Sequence, residues 1–171
     1  MAVLKILDSD YKSVFDVQNL IAYILRTSAT NSNLTVLNGI YMTDIEGMAQ
    51  QFSAMKSIWG QSTGRQYYQI ILSYKENEIY DENQILSMLQ ILLSQSTLRE
   101  HQCIAAVHTD KQTFDAHILI NSVNSFTGCK FDFSKIAFWR QQCAILSDYM
   151  KKEYGYSIYY EIYCGSIPKF V

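Results

Sequence analysis

The sequence predicts an α+β fold, an antiparallel β-sheet with helices packed on it. Three observations carry that prediction. Runs rich in Tyr, Ile and Val alternate with stretches whose apolar residues recur every three or four positions. Two of the strand-like runs, residues 103–108 and 114–121, are joined by a loop short enough for an antiparallel pair. The chain has 171 residues and one proline, which suits one domain (1–171) with a real hydrophobic core and few linkers.

The elements follow in order. Residues 2–7 read as a short apolar strand. Over 17–26, Val17, Leu20, Ile21 and Ile24 repeat at helical spacing, with Asp16 as the expected N-cap and Tyr23 on the flank. Residues 27–33 are polar and loop-like, and 34–42 are a strand or irregular. A second helix is expected from about Asp44 to Trp59, with Met48, Phe52, Met55 and Trp59 on one side, before a turn at 60–64. Residues 67–74, rich in Tyr and Ile, predict a buried strand. Asp81 and Gln84 form a capping-box start for a helix carrying Ile85, Met88, Leu89 and Leu92. After the two strands and a turn at 125–128, Ser134 is expected to cap a long helix with Trp139, Cys143, Leu146 and Met150 on one face. Gly155 ends that helix, and 157–163 read as a last strand.

Composition narrows the function classes. Cys103, Cys129, Cys143 and Cys164 form no CxxC pair, so they read as reduced thiols of a cytoplasmic protein. The apolar start of the chain is too short for a signal peptide, and no run approaches membrane-spanning length. The net charge of −2 argues against a broad DNA-wrapping face. Charge is nonetheless uneven: Lys111, Lys130, Lys135, Arg140, Lys151 and Lys152 follow His108, whereas Glu76, Glu78, Asp81 and Glu82 precede it. A solvated helix face accounts for Lys151 and Lys152 as well as DNA does.

The chemistry-bearing stretch is HTDKQTFDAHILINSVN, residues 108–124. Side chains two apart on a strand share a face, so Asp115, His117, Leu119 and Asn121 point one way and Ala116, Ile118 and Ile120 the other, into a core. His108 ends the preceding strand, where it can fall beside His117. Two imidazoles and a carboxylate make a ligand set for one divalent ion, with positions left for substrate oxygens. Polar strand-edge residues give the same pattern, and spacing alone favours that plainer reading.

The wider wording resembles the relaxase/mobilisation-nuclease family of conjugative and mobilisable elements, within the HUH endonuclease superfamily. His108, Thr109, Asp110, His117, Ile118, Asn121, Ser122, Val123, Asn124, Thr127, Gly128 and Lys130 match the family's third motif and its continuation. Tyr68, Ser73, Tyr74, Lys75 and Glu78 resemble its strand-and-turn motif. Ala22, Tyr23, Ile24, Leu25 and Thr30 resemble its N-terminal segment, and Glu153, Tyr154 and Gly155 its typical ending. The likeness covers nearly the whole chain in the right order.

The resemblance implies an HUH relaxase-like sandwich that nicks one DNA strand at an origin of transfer. Tyr23 would be the nucleophile, remaining on the 5′ phosphate. His108, Asp115 and His117 would be the metal ligands, and Asp110 would orient a ligand histidine from behind. Partners so implied are single-stranded or hairpin DNA, an accessory DNA-binding protein and a coupling protein. Relaxases of this kind are usually longer, so the chain reads as a cut-down nuclease domain or a short standalone form. The pattern also departs from the family. Asp115 stands where a third ligand histidine is usual, Thr113 and Gln69 replace two further histidines, and Arg26, Thr27, Ser28 and Ala29 replace an N-P-x-K segment. A carboxylate ligand is harder, favouring Mn²⁺ or Mg²⁺, and its charge weakens the ion as a Lewis acid. Three readings follow: an active nicking relaxase, a relaxase-like module that binds an origin hairpin or single strand without cutting, and an unrelated α+β interaction domain.

Overall fold

The computed structural model describes residues 1–7, 14–75, 78–79, 81–111 and 113–165. Glu76 and the tail at 166–171 lie outside them.

The elements run β1 (Ala2–Leu7), α1 (Val14–Ile24), a 3-10 turn (Ser32–Leu34), β2 (Thr35–Asn38), α2 (Ile45–Ile58), β3 (Tyr67–Tyr74), α3 (Glu82–Ser94), α4 (Ser96–Arg99), β4 (His101–His108), β5 (Phe114–Asn124), α5 (Ile136–Tyr154) and β6 (Tyr160–Gly165). One six-stranded sheet has the order β2-β4-β5-β3-β1-β6. The α+β class holds, with one difference: β1 pairs with β6 in parallel, so the sheet is mixed. That pairing joins the two ends of the sequence, and the α5 crossover that permits it leaves no mark in local periodicity.

Both faces of the sheet are covered. Cys103, Ala105, Val107, Ala116, Ile118 and Ile120 pack under α3 and α5 in the larger core with Trp139 and Leu146. Ile104, Ala106 and Leu119 face the other way, into a second core with Val17, Ile21 and Ile24 of α1 and Met48 and Phe52 of α2. The apolar runs at 103–107 of β4 and 118–120 of β5 have no alternation, as a strand buried on both faces allows.

The caps divide. Asp44 accepts from Gly47 N at 2.7 Å, and Asp81 accepts from Asn83 N and Gln84 N, each satisfying amide groups that a helix start leaves open. Gly155 closes α5 in the left-handed region, at φ 82°. Two expected caps fall elsewhere. Asp16 lies inside the first turn of α1. Ser134 instead donates its hydroxyl to Asp132, and Lys135 occupies the N-cap position of α5. α1 starts three residues earlier than expected and α5 one residue later, at boundaries where local signals are least decisive. Trp59, expected on the buried side of α2, ends that helix 40% exposed. Among the described residues, no helix is long and apolar enough to cross a membrane, and all four cysteines are free thiols.

Candidate active site

Three strand ends and one helix end meet under α1. In register, His108 faces Asp115 across the β4–β5 hairpin, while His117 faces Ala106. On its other side Asp115 pairs with Ser73 of β3, and His117 with Ile71. His108 and His117 are therefore diagonal neighbours rather than a direct pair. Their rings still meet, with centroids 4.2 Å apart, because diagonal positions on one sheet face lie within reach of ring-bearing side chains.

Tyr23, in the last turn of α1, closes the group from above. Its ring stands edge-on to both imidazoles, 5.6 Å from His108 and 5.4 Å from His117. The α1 stripe of Val17, Leu20, Ile21 and Ile24 is buried, which turns Tyr23 to the flank at 43% exposure. A helix that buries one stripe necessarily presents the adjacent positions at its border. The phenol thus sits where a core ends and solvent begins.

The histidines differ in what holds them. His108 Nε2 lies 2.8 Å from the Ile24 carbonyl, one of the carbonyls that the end of α1 leaves without a helical partner. A carbonyl only accepts, so Nε2 carries the proton, and in the neutral ring Nδ1 keeps a free lone pair. His117 Nδ1 is buried with no hydrogen-bond partner. Burial, then the neighbouring His108, Arg26 and Lys111, push His117 down to about 3. Burial also lowers His108, against the raising effect of its bond to Ile24. Both rings are neutral at pH 7, the form that binds a metal ion.

Asp110, expected to orient a ligand histidine, is instead bonded to Arg26. Its carboxylate takes the Arg26 guanidinium at 2.9 Å, and that contact holds it below the usual carboxylate range. The main-chain carbonyl of Ile24 fills the orienting role at His108. Arg26 also lies over the Tyr23 ring, 4.3 Å from its centroid, and donates to the Tyr23 carbonyl at 3.3 Å. Thr109 N donates to Ala29 O at 2.8 Å. So the segment after Tyr23 is tied to the end of β4 by three separate contacts. Sequence reading missed Arg26, noting it only as a departure; a lone arginine three residues after a candidate nucleophile was the available signal.

Whether these residues suit a divalent ion is a question of donors. The unpartnered His117 Nδ1 and the neutral His108 ring fit that use. Asp115 is half-buried and accepts the Ser73 hydroxyl at 2.5 Å. Among the described residues, however, no group of three His, Cys, Asp or Glu side chains is arranged to hold a metal ion. The imidazole pair fits, and Asp115 stands beside it engaged with Ser73.

Comparison with known proteins shows the family. Residues 23–156 match the family described as relaxase, MobA/VirD2-like, nuclease domain. Three curated relatives, each named "Protein rlx" from Staphylococcus aureus, are similar. One is 30% identical over 92 residues, which is 54% of this chain and 29% of that protein; a second is 31% identical over 94 residues, 55% of this chain and 28% of that protein. The matched stretch thus takes in under a third of those relatives' length. No solved structure matches the chain. A family match that begins at Tyr23 and runs through the strands bearing both histidines spans most of the molecule, and the chain belongs to the MobA/VirD2-like relaxase nuclease-domain family.

Proposed function

We propose that residues 1–171 form one relaxase domain that nicks a single DNA strand at an origin of transfer, with Tyr23 as nucleophile. The observation that carries this reading is the exposed Tyr23 ring standing against both His108 and His117. Among the described tyrosines, it is the one whose ring meets both imidazoles.

The chemistry is a transesterification. The phenolic oxygen attacks the scissile phosphorus and loses its proton, the bond to the 3′ oxygen breaks, and that oxygen takes up a proton as it leaves. The product is a phosphodiester between Tyr23 and the 5′ end, close in energy to the bond broken, so the strand can be rejoined. A phenol is a weak nucleophile near neutral pH, and the site must supply positioning and charge. The rigid tie between His108 and the Ile24 carbonyl holds the end of α1, and with it Tyr23, against β4. Such fixed placement is a large part of any rate gain. His108 and His117 would hold a divalent ion, with Asp115 completing the set; Mn²⁺ or Mg²⁺ suits the hard carboxylate. When bound, the ion would polarise the phosphate and offset its developing charge.

The substrate in this reading is single-stranded or hairpin DNA in the cytoplasm, with an accessory DNA-binding protein and a coupling protein as partners. The net charge of −2 fits a protein that shares DNA binding with such a partner. A second reading is favoured by Asp115, a carboxylate already engaged with the Ser73 hydroxyl: a domain that binds origin DNA but no longer cuts it.

Purified protein with a supercoiled plasmid carrying the transfer origin of its own element, plus Mn²⁺ or Mg²⁺, separates the two. Nicking with protein left on the 5′ end, lost in Tyr23→Phe, supports the enzyme. Binding without nicking under either metal supports the second reading. No DNA binding at low salt contradicts both.

A further inference from the structure

We infer that Arg26 is a second substrate-contacting residue of this site, a cation that Asp110 holds over Tyr23 until the scissile phosphate takes it. The inference rests on the assignment of Tyr23 as nucleophile.

Four observations lead to it. The guanidinium carbon lies 4.3 Å from the Tyr23 ring centroid. Nucleophile and phosphorus must approach to about 3–3.5 Å before reaction, so a phosphate presented to this phenol comes within reach of that guanidinium. Arg26 has five N–H donors; its hydrogen bonds run from one terminal nitrogen to the Tyr23 carbonyl and from the other to Asp110. A planar fork with donors to spare matches the paired oxygens of a phosphodiester. Its side chain is 25% exposed, so it is open to a ligand while still anchored. Finally, its partner Asp110 sits on an exposed loop end rather than in a closed network. Ion pairs at such a place are weak enough to exchange for another anion.

Local charge makes the same demand. Asp110 and Asp115 put two carboxylates where a phosphodiester must enter. Lys111 is the next cation along the chain, but its exposed position beyond Asp110 gives it no tie to Tyr23. Arg26 supplies fixed positive charge at the nucleophile. Electrostatic groups already aimed at the reacting phosphate cost nothing to reorganise during the reaction. A purely structural Arg26 would pin the end of α1 and no more.

The two roles separate by a charge-deletion cycle that needs no chemistry. In a Tyr23→Phe background, binding is measured by fluorescence anisotropy for a single-stranded oligonucleotide spanning the nick site mapped on plasmid by the wild-type protein. A second oligonucleotide carries a neutral methylphosphonate at the scissile position only. The expected result is that neutralising this phosphate weakens binding about tenfold when Arg26 is present and less than about twofold in Arg26→Gln, a coupling of the size expected for a charge-assisted contact. Arg26→Lys retains part of the penalty, and Asp110→Asn retains it in full because it frees the guanidinium. An equal penalty with and without Arg26 overturns the inference, whatever the effect on nicking. If Arg26→Gln proves poorly folded, Arg26→Lys against Asp110→Asn still decides it: no difference in penalty between the two contradicts the planar-fork contact. Failure of the nucleophile assignment reads differently, as nicking by Tyr23→Phe with the phosphate coupling intact.

Discussion

One face of the sheet has two ends that treat polar residues in opposite ways. At the end formed by Ser73, His108, Asp115 and His117, groups are left incompletely satisfied: His117 Nδ1 has no partner and Tyr23 is half in solvent. At the other end, Asn121 is fully buried and its amide donates to Phe52 O at 3.1 Å and Gln102 Oε1 at 2.9 Å, while its oxygen accepts from Val123 N. Asn124 accepts from Phe126 N and Thr127 N and donates to Glu100. Lys130 donates to the carbonyls of Thr63 and Arg65. The family-like motif runs along β5 from one end to the other. In the proposed function its histidine half would carry the chemistry, whereas its asparagine half is hydrogen-bonded into the frame, although the two look alike as written. Buried polar groups are normally satisfied, so the unsatisfied ones are the informative ones. The third histidine makes the point: His101 bonds the Asn121 carbonyl at 2.8 Å and packs on Phe133, a core residue outside the site.

The contrast predicts that stability and activity separate along this face. Asn121→Ala strips three hydrogen bonds from a buried frame and should cost about 3–4 kcal/mol in urea unfolding; a loss under about 1 kcal/mol would mean the frame is not where the stability lies. Gly128→Ala comes next. Gly128 has φ +70°, and a Cβ there would stand 2.3 Å from the Trp59 ring, so about 2–3 kcal/mol is expected. Trp59→Ala in the same chain should recover part of it.

The framing end has two misfits among the described residues, the Ser122 hydroxyl, buried without a hydrogen-bond partner, and Lys56. Lys56 is 4% exposed and its ammonium has no hydrogen-bond partner, though it lies 2.9 Å from the centroid of the Tyr67 ring. The ring face favours the cation by ~2 kcal/mol when desolvated, whereas burying an unpaired charge costs several. Burial wins, and Lys56 is pushed down to about 6. Between that value and the ordinary 10.5 the unfolded chain holds a proton the folded one does not, so stability rises with pH across this window. Lys56→Met should flatten that rise and add about 1–2 kcal/mol at pH 7. An unchanged slope would mean the ammonium stays charged in the fold.

The smallest stability effect belongs to the chemical end. His117→Leu keeps the volume and removes the unpartnered nitrogen, so unfolding should change by less than about 1 kcal/mol. Nicking in the same variant should fall about 100-fold or more. A large loss of stability would move His117 into the frame.

Much of this was legible beforehand where the signal is local. β3 falls on 67–74 as expected, Asp81 caps α3, and the α5 stripe of Trp139, Cys143, Leu146 and Met150 is buried. What escaped is non-local. The parallel β1–β6 pair and the Arg26–Asp110 contact join residues far apart in sequence, and periodicity carries no information about such partners. Asp110 was expected to orient a ligand histidine, and its carboxylate instead meets the Arg26 guanidinium. Which carbonyl or guanidinium meets it depends on how α1 crosses the sheet, and that is set by the core it shares with α2 and one sheet face.

The central claim is that Tyr23, on its pair of neutral histidines, becomes joined to DNA. Mass spectrometry of the covalent adduct, after nuclease trimming and proteolysis, tests it most directly. The account predicts a nucleotide phosphate on the peptide containing Tyr23, and no adduct in Tyr23→Phe. A phosphate on any of the other tyrosines, or nicking with no adduct at all, would contradict it.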